Sequence, residues 1–153
     1  MTHEYVIAMG GTVVGASVAD LAATGIAWAA DRVLAVGPDD VVRTISRGDS
    51  TFLDLGGCAV TAAPHDPRRA ERLLQDAIAG GRRFGALALL AEAGLLDSPA
   101  APEPGSPADL AFWSADPEAL AAGSAASLRI VALVRAGAFT EGDEHCGPFP
   151  TIG

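Results

Sequence analysis

His65 and Asp66 are the first residues whose types and spacing invite chemistry, because an imidazole beside a carboxylate can act as a general base. Adjacent side chains rarely point the same way, however, and Asp66 directly before Pro67 is also what a helix cap looks like. Glu144-His145-Cys146 can ligate zinc or form a thiolate–imidazole pair, with His145 the candidate acid–base group. The sequence has three histidines, and no local spacing joins His65, His145 and Cys146 into a metal site, so the plain reading of the triplet is an irregular surface segment. Trp28 and Trp113 read first as aromatics buried in a core and alternatively as the lining of a ligand cavity. Arg68, Arg69, Arg72, Arg82 and Arg83 hold half of the ten basic residues. They read first as a solvated helix face and alternatively as a patch for an anion or a partner.

The remaining chemistry is bounded by composition. The 153 residues fit one domain, half of them are hydrophobic, and the formal charge is −9 with every basic residue an arginine. An acidic balance argues against nucleic acid or an anionic membrane as the main partner. No apolar run reaches the roughly 18 residues that span a bilayer. Met1 to Tyr5 lacks the basic start of a signal peptide, which gives a cytoplasmic expectation. In that compartment Cys58 and Cys146, which lack CxxC spacing, are expected as free thiols. The diglycines Gly10-Gly11, Gly56-Gly57 and Gly80-Gly81 are turns, since none opens a helix with a phosphate-loop pattern.

Short elements must position these residues. Tyr5–Met9 and Thr12–Val14 read as a hairpin or a kinked strand about Gly10-Gly11. Residues 17–24 are ambiguous. Gly25–Trp28 and Arg32–Val36 read as two strands about a tight turn, and Asp39 to Arg47 as a short helix with acids first and bases last. Thr51–Leu55 and Cys58–Thr61 read as a hairpin about Gly56-Gly57. Ala70, Leu73, Leu74, Ala77 and Ile78 then form one apolar helical stripe behind the Asp66 cap. A second helix is predicted over 82–93, with Leu87, Leu90 and Ala91 inward and Gly94 as its stop. Residues 97–107 form a Pro/Gly-rich loop. Leu110–Trp113, Ser127–Arg135 and Ala138–Thr140 complete the strands. The order strands, helices, strands implies that the C-terminal strands join the N-terminal ones in one sheet system.

Met9 to Val14, Ile26 to Gly37, Leu53 to Thr61, Glu103 to Phe112 and Arg129 to Gly137 follow one another in the order of a known pattern. Together they resemble the amidohydrolase superfamily, specifically its small β-sandwich composite domain. In that family the sandwich is built from both chain ends around an inserted metal-dependent barrel. The resemblance implies a mainly β fold with a helical insert: a sandwich of the composite-domain type with two to three helices. Residues 1–153 then form a single domain, strands within 5–62 and 109–140 make one sandwich, and the helical insert spans 66–96.

Departures from the family pattern shape the functional expectation. A (β/α)8 barrel takes roughly 250 residues, far more than lie between Thr61 and Asp109. The family's Asp-Pro-His-x-His metal motif falls on Asp66-Pro67-Arg68-Arg69-Ala70, with Arg68 and Ala70 in the histidine positions. The bridging lysine of many members has no counterpart in a chain without lysine. The expectation is a barrel-less relative without metal-dependent hydrolysis or cofactor, zinc included, that binds a small molecule or a protein partner. The alternative is a small biosynthetic enzyme, a hydrolase of non-peptide C–N bonds or a cyclase, with a metal-free site. A lost barrel would also bare apolar sandwich surface, which gives the expectation of a homodimer.

Overall fold

The computed structural model describes residues 5–14, 17–18, 21–45, 50–81, 86–96 and 102–141. Side-chain alternation sets its layers. In β1 (Tyr5–Met9), Val6 and Ala8 face one core while Ile7 and Met9 face another. A strand covered on both faces reads as a continuous apolar run, as this one does. The chain continues through β2 (Thr12–Val13), β3 (Ser17–Val18), β4 (Leu21–Ala22), β5 (Gly25–Ala29), β6 (Arg32–Gly37) and α1 (Asp39–Arg43). Next come β7 (Thr51–Asp54), β8 (Ala59–Ala62), α2 (Pro67–Ala79), α3 (Ala86–Glu92) and β9 (Leu110–Trp113). A 3-10 helix (Ala122–Ser127), β10 (Ile130–Arg135) and β11 (Ala138–Glu141) complete it.

One sheet has the order β6-β5-β1-β7 and a second the order β11-β10-β9-β8-β2, with β3 and β4 as a separate short hairpin. Among the described residues the fold is thus mainly β with four short helices, three of them following β8. Ala8, Ile26, Trp28 and Leu53 of the first sheet pack between the layers with Val60, Leu110, Phe112 and Val134 of the second. Behind the first sheet lies α1, whose buried Val42 joins Ile7, Met9, Ala27 and Ala35. Behind the second sheet lie α2, α3 and the 3-10 helix, over Ala59, Ala111, Trp113 and Leu133.

Two expectations about turns are corrected here. The first is the hairpin alternative for residues 5–14: β1 and β2 belong to different sheets, and the kinked-strand alternative describes them. The second is the hairpin at 51–61. There β7 pairs parallel to β1 in the first sheet and β8 pairs parallel to β2 in the second. Both diglycines are corners at which neighbouring chains pass together from one sheet to the other. The ladder continues around the bend through Leu55 N to Met9 O (2.8 Å), Gly57 N to Gly10 O (2.8 Å) and Thr12 N to Cys58 O (3.1 Å). A side chain at Gly11 would collide with the Cys58 carbonyl, which fixes glycine on the inside of the bend.

Helix α2 follows its sequence signals, while in α3 Leu89 and Leu90 are buried and the predicted inward Ala91 is only partly so. Asp66 caps α2 by accepting the Arg69 amide on Oδ1 (3.2 Å), Pro67 takes the first helical position, and Ala70, Leu74, Ala77 and Ile78 are buried. Leu89 and Leu90 of α3 join the same core, and Gly94 ends the segment at φ +75°. Residues 82–85, the predicted start of that helix, lie outside the described residues. The premise behind the homodimer is also corrected. The outer face of the second sheet is roofed by helices, and Val41 is the one large hydrophobic exposed among the described residues. No helix among the described residues is long and apolar enough to cross a membrane.

The stretch Glu103–Trp113 links the layers a third time. Ser106 first closes a turn with the Glu103 carbonyl through Oγ (2.7 Å). The chain then runs along β6, with Gly105 N donating to Val33 O (2.8 Å) and Val33 N to Ser106 O (2.9 Å). Ala108 N donates to Asp31 O (2.8 Å), and β9 then threads between β8 and β10.

Candidate functional site

Polar side chains gather at the end of the second sheet, where β8 leaves for α2, β9 begins and β10 turns into β11. Asp109 stands just before β9; its carbonyl accepts the Ala63 amide (2.9 Å) and its Oδ1 accepts the Ala136 amide (2.8 Å). Arg135 ends β10 and donates from Nη2 to the Pro64 carbonyl (3.3 Å). His65 and Asp66 follow Pro64, both exposed. The His65 amide donates to Leu95 O (2.8 Å), which fastens the approach to α2 against the end of the α3 segment. The structure therefore brings His65, Asp66, Asp109 and Arg135 to one end of the sandwich.

Asp66, Asp109 and Arg135 each hold backbone with their side chains. Asp66 satisfies an amide of the first helical turn that would otherwise lack a partner. Asp109 holds the β10–β11 turn, where Ala136 and Gly137 have φ +50° and +84°. Such a turn suits the twist of a two-residue hairpin. The arrangement amounts to a polar rim in which carboxylates and a guanidinium close chain ends. Sequence reasoning placed Asp109 and Arg135 on strands and missed this gathering. Their positions, one before a strand and one at a strand's end, are the signal that was present.

The two tryptophans part company. Trp28 lies between the sheets against Phe112 and Phe139, with ring centroids 6.1 Å from each, and donates from Nε1 to Gly137 O (3.0 Å). Trp113 lies on the far face of the second sheet, under the helices, and donates from Nε1 to Thr61 Oγ1 (3.0 Å). Both are almost fully buried, in separate cores.

Two further polar contacts fasten outer layers. Asp39 Oδ1 accepts from Thr24 Oγ1 (2.8 Å) and from the Gly10 amide (3.2 Å), so the start of α1 is tied to the first corner. On α2, Glu71 Oε2 accepts the Ile130 amide (2.6 Å) and Gln75 Nε2 donates to Leu128 O (2.7 Å). This i, i+4 pair beside the apolar stripe clamps the helix to the start of β10. Cys58, half-buried at the second corner, is a free thiol whose pKa burial pushes above its ordinary value of 9.0. A thiol held in its protonated form is a poor nucleophile.

Glu144, His145, Cys146, Arg82 and Arg83 lie outside the described residues. Among the described residues no group of three or more His, Cys, Asp or Glu is placed to hold a metal ion. Comparison with protein families, curated proteins and solved structures returned no match to this chain.

Proposed function

We propose that this chain is a barrel-less relative of the amidohydrolases that works as a binding module for a small molecule or a protein partner, without metal-dependent hydrolysis. One observation carries the reading. Beyond Thr61, where the family inserts its barrel, the chain enters α2, and α2 and α3 pack back on the second sheet. The positions matching the family's metal-binding histidines are Arg68, exposed on that helix, and Ala70, buried in its core face. A guanidinium stays protonated and does not ligate a metal ion, and a methyl group has no lone pair to offer.

The test is elemental analysis of the purified protein together with hydrolysis assays on cyclic and open-chain amides. We expect no stoichiometric transition metal and no hydrolysis above the uncatalysed rate. One zinc per chain, with amide hydrolysis that chelation abolishes, overturns the proposal. Light scattering on the same preparation decides between monomer and homodimer.

A further inference from the structure

The first two turns of α2 concentrate positive charge on a chain that is otherwise strongly acidic. Arg68, Arg69 and Arg72 are all exposed there, and none has an ion-pair partner among the described residues. Arg68 and Arg72, at i and i+4, share one face of the helix. Arg135, at the approach to the helix, is committed to the Pro64 carbonyl at 3.3 Å. The nearby carboxylates are engaged elsewhere: Asp66 caps the helix and Glu71 accepts the Ile130 amide. Asp76 follows Arg72 by one turn without pairing to it. Across the sandwich, Arg43 contacts Met9 Sδ at 3.9 Å, and Arg129 is spent on the Ala126 and Leu128 carbonyls. Among the described residues, the arginines whose guanidiniums no hydrogen bond or ion pair engages thus lie together on one helix.

We infer that this arginine face of α2 docks a short carboxylate-rich segment of a partner protein. Arg68, Arg69 and Arg72 occupy two successive turns of the helix, a spacing that suits successive carboxylates on a peptide better than a single small anion. Guanidinium and carboxylate also match in a two-pronged geometry. A long polyanion such as nucleic acid would meet repulsion from the rest of a chain with charge −9, whereas a short acidic segment touches only the patch. The same repulsion lets the partner approach from one side only. The inference deepens the binding-module proposal and rests on it.

The probe is a fluorescein-labelled peptide alternating glutamate and serine, titrated by anisotropy at low salt. The expected result is saturable binding that weakens steeply with added salt. Replacing Arg68, Arg69 and Arg72 together by Gln should weaken it about tenfold, the sum expected of three surface pairs, with the melting temperature unchanged. Arg43→Gln, on the opposite layer, should bind as the parent does. Absence of saturable binding, equal binding by the triple variant, or preferential binding of an oligonucleotide of the same charge overturns the inference. Metal content and amide hydrolysis are read separately, so a zinc hydrolase that also bound the peptide would defeat the broader proposal alone.

Discussion

At the scale of single residues, Gly137 is the described glycine with the least room for a side chain. It sits in a hairpin turn at φ +84°, its carbonyl accepts the Trp28 indole, and a side chain there would fall on the Ala30 carbonyl. The turns of the two sheets meet at this spot, so neither can retreat without disturbing strands behind it. Gly137→Ala should therefore cost on the order of 3 kcal/mol or more, read as a lowered urea midpoint. Ala136→Gly, at φ +50°, should leave stability level or raise it. Cys58 gives a pH prediction. Because burial raises its pKa, the folded state holds the thiol proton more tightly than the unfolded chain does. Its contribution to stability is present in full below the ordinary value of 9.0 and is lost as pH rises above that value through the folded pKa. In a Cys146→Ser variant at pH 9, native Cys58 should alkylate more slowly than the same thiol in urea. Equal rates would show that the corner does not shield it.

At the scale of elements, the helices were the most legible part of the sequence because their signals are local. The stripe from Ala70 to Ile78 and the Asp66-Pro67 start describe α2 residue by residue. Asp66→Ala should cost about 1 kcal/mol in thermal unfolding and Asp66→Asn much less, since asparagine keeps the capping oxygen. An equal loss from both would assign Asp66 a role that needs its charge. Most strands were legible as strands, and so were the β5–β6 and β10–β11 turns. The ambiguous stretch 17–24, with its weak helix or loop character, holds the β3–β4 hairpin, and the partners across the diglycine corners were not legible. A diglycine has the same turn chemistry whether the chain folds back into one sheet or bends into the next. What separates the outcomes is the parallel pairing of β1 with β7, a contact between residues far apart in sequence. The tryptophans show the same limit. Alternation tells Phe112 from Trp113 by parity within a strand, but no local feature says which face meets the other sheet and which meets a helix. The polar rim was hidden for a related reason: Asp109, Arg135 and Pro64 become neighbours only after three strands align.

At the scale of the whole molecule, the sheets are joined by covalent crossings at Gly10-Gly11 and Gly56-Gly57 and by the passage of residues 105–109 from β6 into β9. The inter-sheet core is further stitched by Trp28 with Phe112 and Phe139, rings drawn from both layers. Sliding one sheet over the other would break backbone ladders at the corners as well as ring contacts. The sandwich is therefore built as a rigid frame, with the helical layer fastened to it by side chains of α2. One detail of that frame reaches further. Ala62 and Leu110 are direct cross-strand partners, so all the chain between them is, to the sheet, the loop of a hairpin. The entropic cost of closing such a loop grows only with the logarithm of its length, and its ends stay put whatever it contains. The frame behaves as a socket in which added length costs little in loop closure, and what any occupant must supply is the apolar cover that α2 and α3 give Ala59, Ala111 and Trp113.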